Sequence, residues 1–395
     1  MFKNIKLGTK IGLGFGCLIV ITLLVGGMSV YTMRGAATES INLANEFVPQ
    51  IDVAMDIRYQ TNDIMFAMRG YEYAEHEQYY QEALSEIKHL DAAIAEGDKL
   101  KKSAVNLVKL PGILETIKTA RNQYVELIEL TRQGLNDIKA GRTTMNTNAD
   151  EFMKFAYAYL ENQKSALATE MTERDDKLRS MNILMTIGTG AHMEILETKS
   201  ANNIDQIQKI VNQMDTIAPI IATLRKTVRK EENIKLLDSM DTSVSAYKDI
   251  MKSYVDGIKK NGAADDTLFV QAKGAMATFL ANSKNFIAAQ QASLKQNTEE
   301  RNFKMIEIND MIDLGNVVRI KFNQGQAVRD VKIMVEGEKN FELIYEKIKR
   351  IRQVTSVKDM AEIDNFEKSM KSYQQTFLDF ITQWKKLDEI AVKRI

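Results

Sequence analysis

The stretch from Ile11 to Met33 constrains this chain more than any other: IGLGFGCLIVITLLVGGMSVYTM holds no charged residue. A helix needs about 20 apolar residues to cross a hydrocarbon layer roughly 30 Å thick, so the run can span a membrane with some tilt. MFKNIKLGTK before it carries Lys3, Lys6 and Lys10 and no acid. The positive-inside bias therefore keeps residues 1–10 cytoplasmic and sends everything from about Arg34 across. A cleaved signal peptide has the same basic start, but its apolar core is about 7–15 residues long and closes on small residues. Here the run is longer and no small-x-small site ends it, and Gly14-Phe15-Gly16 is a poor lipidation signal for Cys17. Residues 11–33 read as an uncleaved transmembrane helix.

Lys+Arg and Asp+Glu are both 53, so net charge points to neither nucleic acid nor an anionic surface. The single cysteine, Cys17, lies inside the anchor. The exported part then has no disulfide and its stability rests on packing, which fits a bacterial periplasmic domain. Three prolines (Pro49, Pro111, Pro219), 21 methionines and long tracts of Ala, Lys, Glu, Gln and Leu at helical spacing predict an all-α fold. The expected architecture is an N-terminal transmembrane helix followed by stacked four-helix bundles sharing long helices.

Ile41, Ala44, Val48, Ile51, Met55 and Met65 form a three-four ladder that continues the membrane helix outward. Pro49 sits on it, where it kinks the helix or ends its first segment. A turn at Arg69-Gly70-Tyr71 leads to a second helix, about His76 to Lys102. Pro111 opens a third, by its fit to a first helical turn, running to Ala140. Gly141-Arg142-Thr143-Thr144 reads as a loop, with a fourth helix from about Thr147-Asn148. The plan then recurs. Tyr124 in QYVELIELTRQG, Tyr247 in AYKDIMKSYVDG and Tyr373 in SYQQTFLDFITQW are 123 and 126 residues apart. Thr172-Glu173-Arg174 answers Glu299-Glu300-Arg301, and Gly188 answers Gly315, both at 127. We read the exported region, 34–395, as about three repeats, roughly 34–170, 171–297 and 298–395. The fourth helix of each runs into the first of the next, so Asp150–Thr198 and Leu268–Val335 read as very long helices. Counted from Tyr373, the sequence stops where a fourth helix is due, which predicts a C-terminal truncation that leaves out a descending helix and a second transmembrane segment.

Enzyme motifs are few. Glu86-Ile87-Lys88-His89 has the Glu-x-x-His spacing of di-iron bundles, but those need a second copy and further glutamates, and neither His76 nor His192 supplies one. GLGFG lies within the membrane span and is no nucleotide loop. No nucleophile elbow, P-loop or zinc signature is present, so no catalysis, cofactor or metal is expected, and the methionines read as core filler. Polar residues on the ladders are more informative. The first ladder continues to Arg58, Asn62, Met65 and Arg69. In the third repeat Ile308, Ile312 and Gly315 lead to Arg319, Phe322, Gln326, Arg329 and Ile333. At the 127-residue step His192 stands where Arg319 does, and Asn202 where Arg329 does. A buried guanidinium is costly unless a partner neutralises it, and no acid shares either ladder. Acids from neighbouring helices, an escape of the head group to the edge, or an anionic ligand matching the guanidinium fork each answer this. The candidate ligand-binding set is Arg58, Asn62, Arg69, Arg319, Gln326, Arg329 and His192, with Tyr59, Tyr71, Tyr73 and Asn323 as rim donors or ordinary packing.

MFKNIKLGTKIGLGFGCLIVITLLVGG, followed by Arg58-Tyr59-x-x-Asn62 and MRGYEY, resembles the N-terminal part of bacterial methyl-accepting chemotaxis proteins, the LGxKIGxGF entry being its most specific element. The exported part is similar to their helical bimodular sensor class, in which two four-helix bundles stack and share long helices. The resemblance is strongest from Met1 to about Arg69 and architectural beyond. It implies a homodimeric receptor in the bacterial inner membrane whose periplasmic bundles bind small molecules, often organic acids, through arginines. The matching positions are Arg58 and Arg69 and, by repeat, Arg319 and Arg329. Three repeats exceed the usual two modules, and the chain shows no second transmembrane helix, HAMP linker or methylated hairpin. Similar domains also occur in histidine kinases, some of which read a periplasmic binding protein. The expectation is the ligand-sensing portion of a chemoreceptor, with a small carboxylate as ligand. A kinase sensor region, a partner-binding scaffold and a structural rod are the alternatives.

Overall fold

The computed structural model describes residues 6–200, 203–263 and 265–394; Lys3 and Asn202 lie outside them. Among the described residues the chain is helical, without a strand. The helices are α1 (Leu7–Asn42), α2 (Val48–Ala74), α3 (Glu77–Ser103), α4 (Leu110–Ser200), α5 (Ile204–Gln213), α6 (Ile217–Thr227), α7 (Glu231–Asn261), α8 (Asp266–Val328), α9 (Val331–Gln353) and α10 (Met360–Lys393). They form two compact units, residues 1–145 with 378–395, and residues 146–377.

In the first unit α1 buries none of its residues and is long and apolar enough to cross a membrane. It passes into α2 through a π-helical turn, Leu43–Phe47, in which the Val48 N–H bonds the Leu43 carbonyl. Pro49 has no N–H to offer the turn before it. The backbone widens by one residue directly upstream of it and continues, so the proline does not end the helix. Glu46 lies on this π turn and reaches the α3–α4 connection. Its carboxylate accepts the N–H groups of Val105 at 3.2 Å and Asn106 at 2.8 Å, and the Asn106 side-chain amide at 3.2 Å. The Asn106 N–H, foremost among these, holds the Glu46 carboxyl below the usual carboxylate range.

Two expected breaks are absent. The helix expected to turn at 69–71 runs to Ala74 and turns at Glu75, whose φ is 55°. The Glu75 carboxylate then takes both Nη atoms of Arg142, at 3.0 and 3.2 Å. Residues 141–144, expected as a loop, lie inside α4. Gly141 serves close approach there: a Cβ would come within 2.7 Å of Gln383 and 3.2 Å of the Phe380 ring on α10.

In the second unit the later part of α4 and the whole of α8 pack antiparallel and are shared by two four-helix bundles. One bundle adds α7 and, as its fourth member, α5 and α6 joined end to end through the 3-10 turn Met214–Thr216, around Met181, Leu184, Ile210, Leu237, Tyr247 and Phe279. The other adds α9 and the start of α10. Its centre is aromatic, with Phe152 stacked on Phe366 at 5.1 Å and Phe341 edge-on to Tyr373 at 5.1 Å and to Phe377 at 5.4 Å. The helix expected to reach Val335 stops at Val328. Arg329 takes φ 55°, and Asp330 caps α9 by accepting the Lys332 N–H at 2.9 Å.

The antiparallel pair is seated by two contacts of the same form. A Cβ on Gly315 would lie 2.6 Å from the Phe152 ring, and one on Gly188 would lie 2.6 Å from the Phe279 ring. Both rings are fully buried and cannot swing away. Gly315→Ala and Gly188→Ala are each expected to destabilise by about 1–3 kcal/mol through overpacking. Gly190→Ala, with open space around its Cα, is expected to be neutral or to stabilise by up to about 1 kcal/mol. Urea titrations followed by circular dichroism read the difference; equal effects at Gly190 and Gly315 would contradict the close-approach argument.

Candidate functional site

The core-facing positions of α2 are Ile64, Ala67, Met68 and Tyr71. The ladder predicted to be a core seam lies on the opposite side. Ile51 is 57% exposed, Met55 40%, Tyr59 50% and Phe66 74%, and Arg58, Asn62 and Arg69 are exposed among them. A three-four spacing defines a helix face without saying which way it points. The result is an outward apolar stripe studded with two guanidinium groups and an amide. Arg58 holds its guanidinium 5.3 Å from the centre of the Tyr59 ring. Arg58 and Asn62 are one turn apart, whereas Arg69 lies 11 residues on, about 16 Å along the helix at 1.5 Å per residue. One α2 therefore brings Arg58 together with Asn62 and keeps Arg69 apart from them. Arg69 adds its charge to the surroundings of Tyr124 on α4, beside Arg394 and Glu72, which pair with each other.

The remaining predicted residues belong to the second unit and do not converge. Arg319 is half-buried and paired with Asp150 of α4, next to the buried Tyr373, whose hydroxyl donates to the Gly315 carbonyl at 3.4 Å. Its ladder stays in the core at Ile308, Ile312 and Phe322, with Arg319 and Gln326 at its edge and only Arg329 exposed. Gln326 is half-buried with its amide 3.5 Å from the Phe322 carbonyl, and Arg329 is the exposed residue of the α8–α9 turn. His192 sits in the other bundle, its Nδ1 3.2 Å from the Tyr247 hydroxyl. Of the rim residues, Tyr71 is buried, while Tyr73 and Asn323 are exposed. Glu86 and His89 form an exposed pair at 2.9 Å on α3.

Burial, with Lys273 as a second cause, lowers the His192 pKa from its ordinary 6.5. Burial alone raises that of Tyr247. A histidine whose folded pKa lies below its unfolded one loses stabilisation as pH falls, because the unfolded chain takes up the proton first. The bundle around Tyr247 is expected to weaken as pH drops below about 6.5, the unfolded value. His192→Gln, which keeps a hydrogen-bonding group and cannot titrate, flattens that dependence. Thermal melts of both proteins between pH 7.5 and 5 check this, and parallel slopes would refute it.

Besides the outward stripe, the first unit has an apolar groove of about 220 Å³ lined by Ile57, Ile64, Ile117, Tyr124 and Val125, with Arg121 at its edge. Arg121 is already clamped by Asp91 at 2.6 and 2.8 Å, so this groove suits aliphatic groups. Among the described residues no cluster of three or more His, Cys, Asp or Glu side chains is placed to hold a metal ion.

Residues 4–183 match the family described as a four helix bundle sensory module for signal transduction. This part of the chain is similar to such sensory modules. The match takes in α1, the π turn, α2, α3 and α4 as far as Ile183. The match thus takes in both the membrane-length helix and the outward stripe. A search of curated proteins found no match to the chain.

Sequence reasoning passed over two polar features here. Asp150, the partner of Arg319, lies 169 residues away in sequence, and no local signal connects them. Glu46 carried a readable hint, an acid three residues before a proline on an otherwise apolar ladder.

Proposed function

We propose that the chain is the extracytoplasmic ligand-sensing portion of a transmembrane chemoreceptor, with α1 crossing the bacterial inner membrane and the bundles in the periplasm. Two copies pair along the outward stripe of α2, and a small carboxylate is held there by Arg58 and Asn62, with Arg69 reading it from the second copy or holding another. Arg319, Gln326, Arg329 and His192 are subsidiary candidates in the second unit. The observation that carries this reading is the stripe itself. Ile51, Met55, Tyr59 and Phe66 are too apolar to face water as a contiguous band, and covering them also strips water from Arg58 and Arg69. A desolvated guanidinium needs an anion, and a carboxylate meets its fork with two hydrogen bonds.

The membrane helix and the stripe belong to one run of helix, so a ligand that prefers one packing of the paired α2 helices biases α1 directly. Such a bias is no larger than the difference in the ligand's affinity for the two packings, and small helix displacements at subunit interfaces are an established way to express it. The partner-reading alternative, in which a periplasmic binding protein docks instead of a free ligand, has one supporting observation: Arg319 is already neutralised within the chain by Asp150.

Two measurements test the proposal on the full chain in membranes. In a Cys17→Ser background, Met55→Cys is expected to form a disulfide-linked dimer under mild oxidation, while Asn309→Cys, exposed on α8, does not. Calorimetry with a panel of organic acids is expected to find a ligand whose affinity falls at least tenfold, about 1.4 kcal/mol, in Arg58→Ala. A ligand bound equally by Arg58→Ala and Arg319→Ala, or cross-linking that ignores the position of the cysteine, would sink this site.

A further inference from the structure

The antiparallel α4–α8 pair carries two arginines in corresponding places with opposite surroundings. Arg301 on α8 reaches back to α4, donating to Gln163 at 3.0 Å and to the Glu170 carboxylate at 2.7 Å. Arg174 on α4 reaches to α8, donating to the Gln290 carbonyl at 3.2 Å, the Gln290 side-chain oxygen at 3.4 Å and the Ser293 hydroxyl at 3.1 Å. Gln163 and Gln290 stand 127 residues apart, as do Arg174 and Arg301, and the same step carries Glu170 to Asn297. Where Arg301 meets a carboxylate, Arg174 has a neutral amide opposite. That amide turns away and donates to the second oxygen of Glu170 at 3.2 Å.

The neighbourhoods diverge in the same sense. Arg301 feels Glu170, Asp359 and Glu300. Arg174 opens onto a cleft of about 270 Å³ to which α4 adds Lys177, and the α6–α7 connection adds Arg229 and Lys230. Glu170 and Glu173 also line the cleft. The first is engaged by Arg301 and feels the charge of Arg174 from beyond ion-pair distance, and the second lies 3.7 Å from Lys177. Among the described residues no carboxylate lies within ion-pair distance of Arg174, Arg229 or Lys230. The floor is polar and buried, made by Asn233, Gln290 and Ser293. The N-terminus of the 31-residue α7 lies at the cleft with no side chain capping it, and its own Glu231 and Glu232 occupy its first turn, Glu231 paired with Lys235 at 2.8 Å.

We propose that this cleft binds a small dianion, one of whose acid groups lies across Arg174 as the Glu170 carboxylate lies across Arg301, with the second facing Arg229 and Lys230. The inference rests on the sensor reading for its purpose, while its place, in the second unit, is separate from Arg58. Binding pockets run from about 300 Å³ upward, so this one admits only a compact molecule, a short dicarboxylate or a phosphate. The shared chemistry is a doubly charged oxyanion.

Succinate and inorganic phosphate serve as probes, with neutral succinamide as control, in calorimetry of the full chain in nanodiscs. Saturable binding of at least one dianion and none of succinamide is expected, and which dianion binds distinguishes carboxylate from phosphate recognition. Arg174→Gln is expected to weaken it at least about tenfold, the scale of a charge-assisted bidentate contact. Asn297→Asp sets a carboxylate at the position opposite Arg174, at the cost of the bond to Glu170, and is expected to weaken binding as much, with circular dichroism checking that it is folded. This variant keeps the test valid should Arg174→Gln unfold. Binding of neither probe, or binding that a folded Asn297→Asp retains in full, overturns the site. Loss in Arg58→Ala with retention in Asn297→Asp overturns it too, while supporting the α2 site. Loss in Asn297→Asp with retention in Arg58→Ala supports it and counts against the α2 assignment.

Discussion

The close approach of α4 and α8 is the constraint on which the second unit depends. Helices packed through ordinary side chains lie about 8–10 Å apart and can slide by a turn at modest cost. A ring pressed onto a glycine cannot slide, because the next position along either helix offers a Cβ in place of a hollow. Phe152 on Gly315 and Phe279 on Gly188 therefore pin the pair at two points, one in each bundle. Everything between those points inherits the register, including the placement of Arg174 opposite Gln290 and of Arg301 opposite Gln163. The aromatic cluster of Phe341, Phe366, Tyr373 and Phe377 then builds outward from a ring that is already fixed.

Charge is handled differently at different places along the chain. Where a charged side chain enters a bundle it finds an internal partner: Lys304, almost wholly buried, meets Glu300 at 2.5 Å, and Glu307 is shared by Lys347 at 3.3 Å and Arg350 at 2.9 Å. Arg319 follows the same rule through Asp150. Arg174, Arg229 and Lys230, with no carboxylate at ion-pair distance among the described residues, share one cleft, and two more guanidinium groups stand on an outward apolar face.

Much of the fold was legible because helix formation here is local. The charge-free run at Ile11–Met33, the scarcity of proline and the unbroken three-four spacing sufficed for an all-α chain with a membrane-length first helix. What failed were inferences that treated a local residue as having a local purpose. Gly141 looked like a loop glycine and is a contact for Gln383 and Phe380, more than two hundred residues away. The break at Arg329 carries no proline or glycine at the turning residue; it is set by the capping Asp330 and by Gly325, crowded against Met334. For the candidate site, periodicity found the face bearing Arg58, Asn62 and Arg69 but could not orient it, since an outward apolar stripe and an inward one have the same spacing. Arg174 drew notice only as part of a recurring tripeptide, because its meaning lies in what its counterpart Arg301 has and it lacks.

The π turn at Leu43–Phe47 has a consequence for anyone who splices this molecule. Each helical residue advances the helix by about 100°, and the turn inserts one residue beyond a regular repeat. The azimuths of α1 and α2 are therefore offset by roughly that angle from a uniform helix. A chimera that grafts α2 onto another protein's membrane helix by counting heptads would point the Arg58 stripe the wrong way. The splice must carry Leu43 to Pro49 across intact, together with the Val105–Asn106 backbone that Glu46 grips.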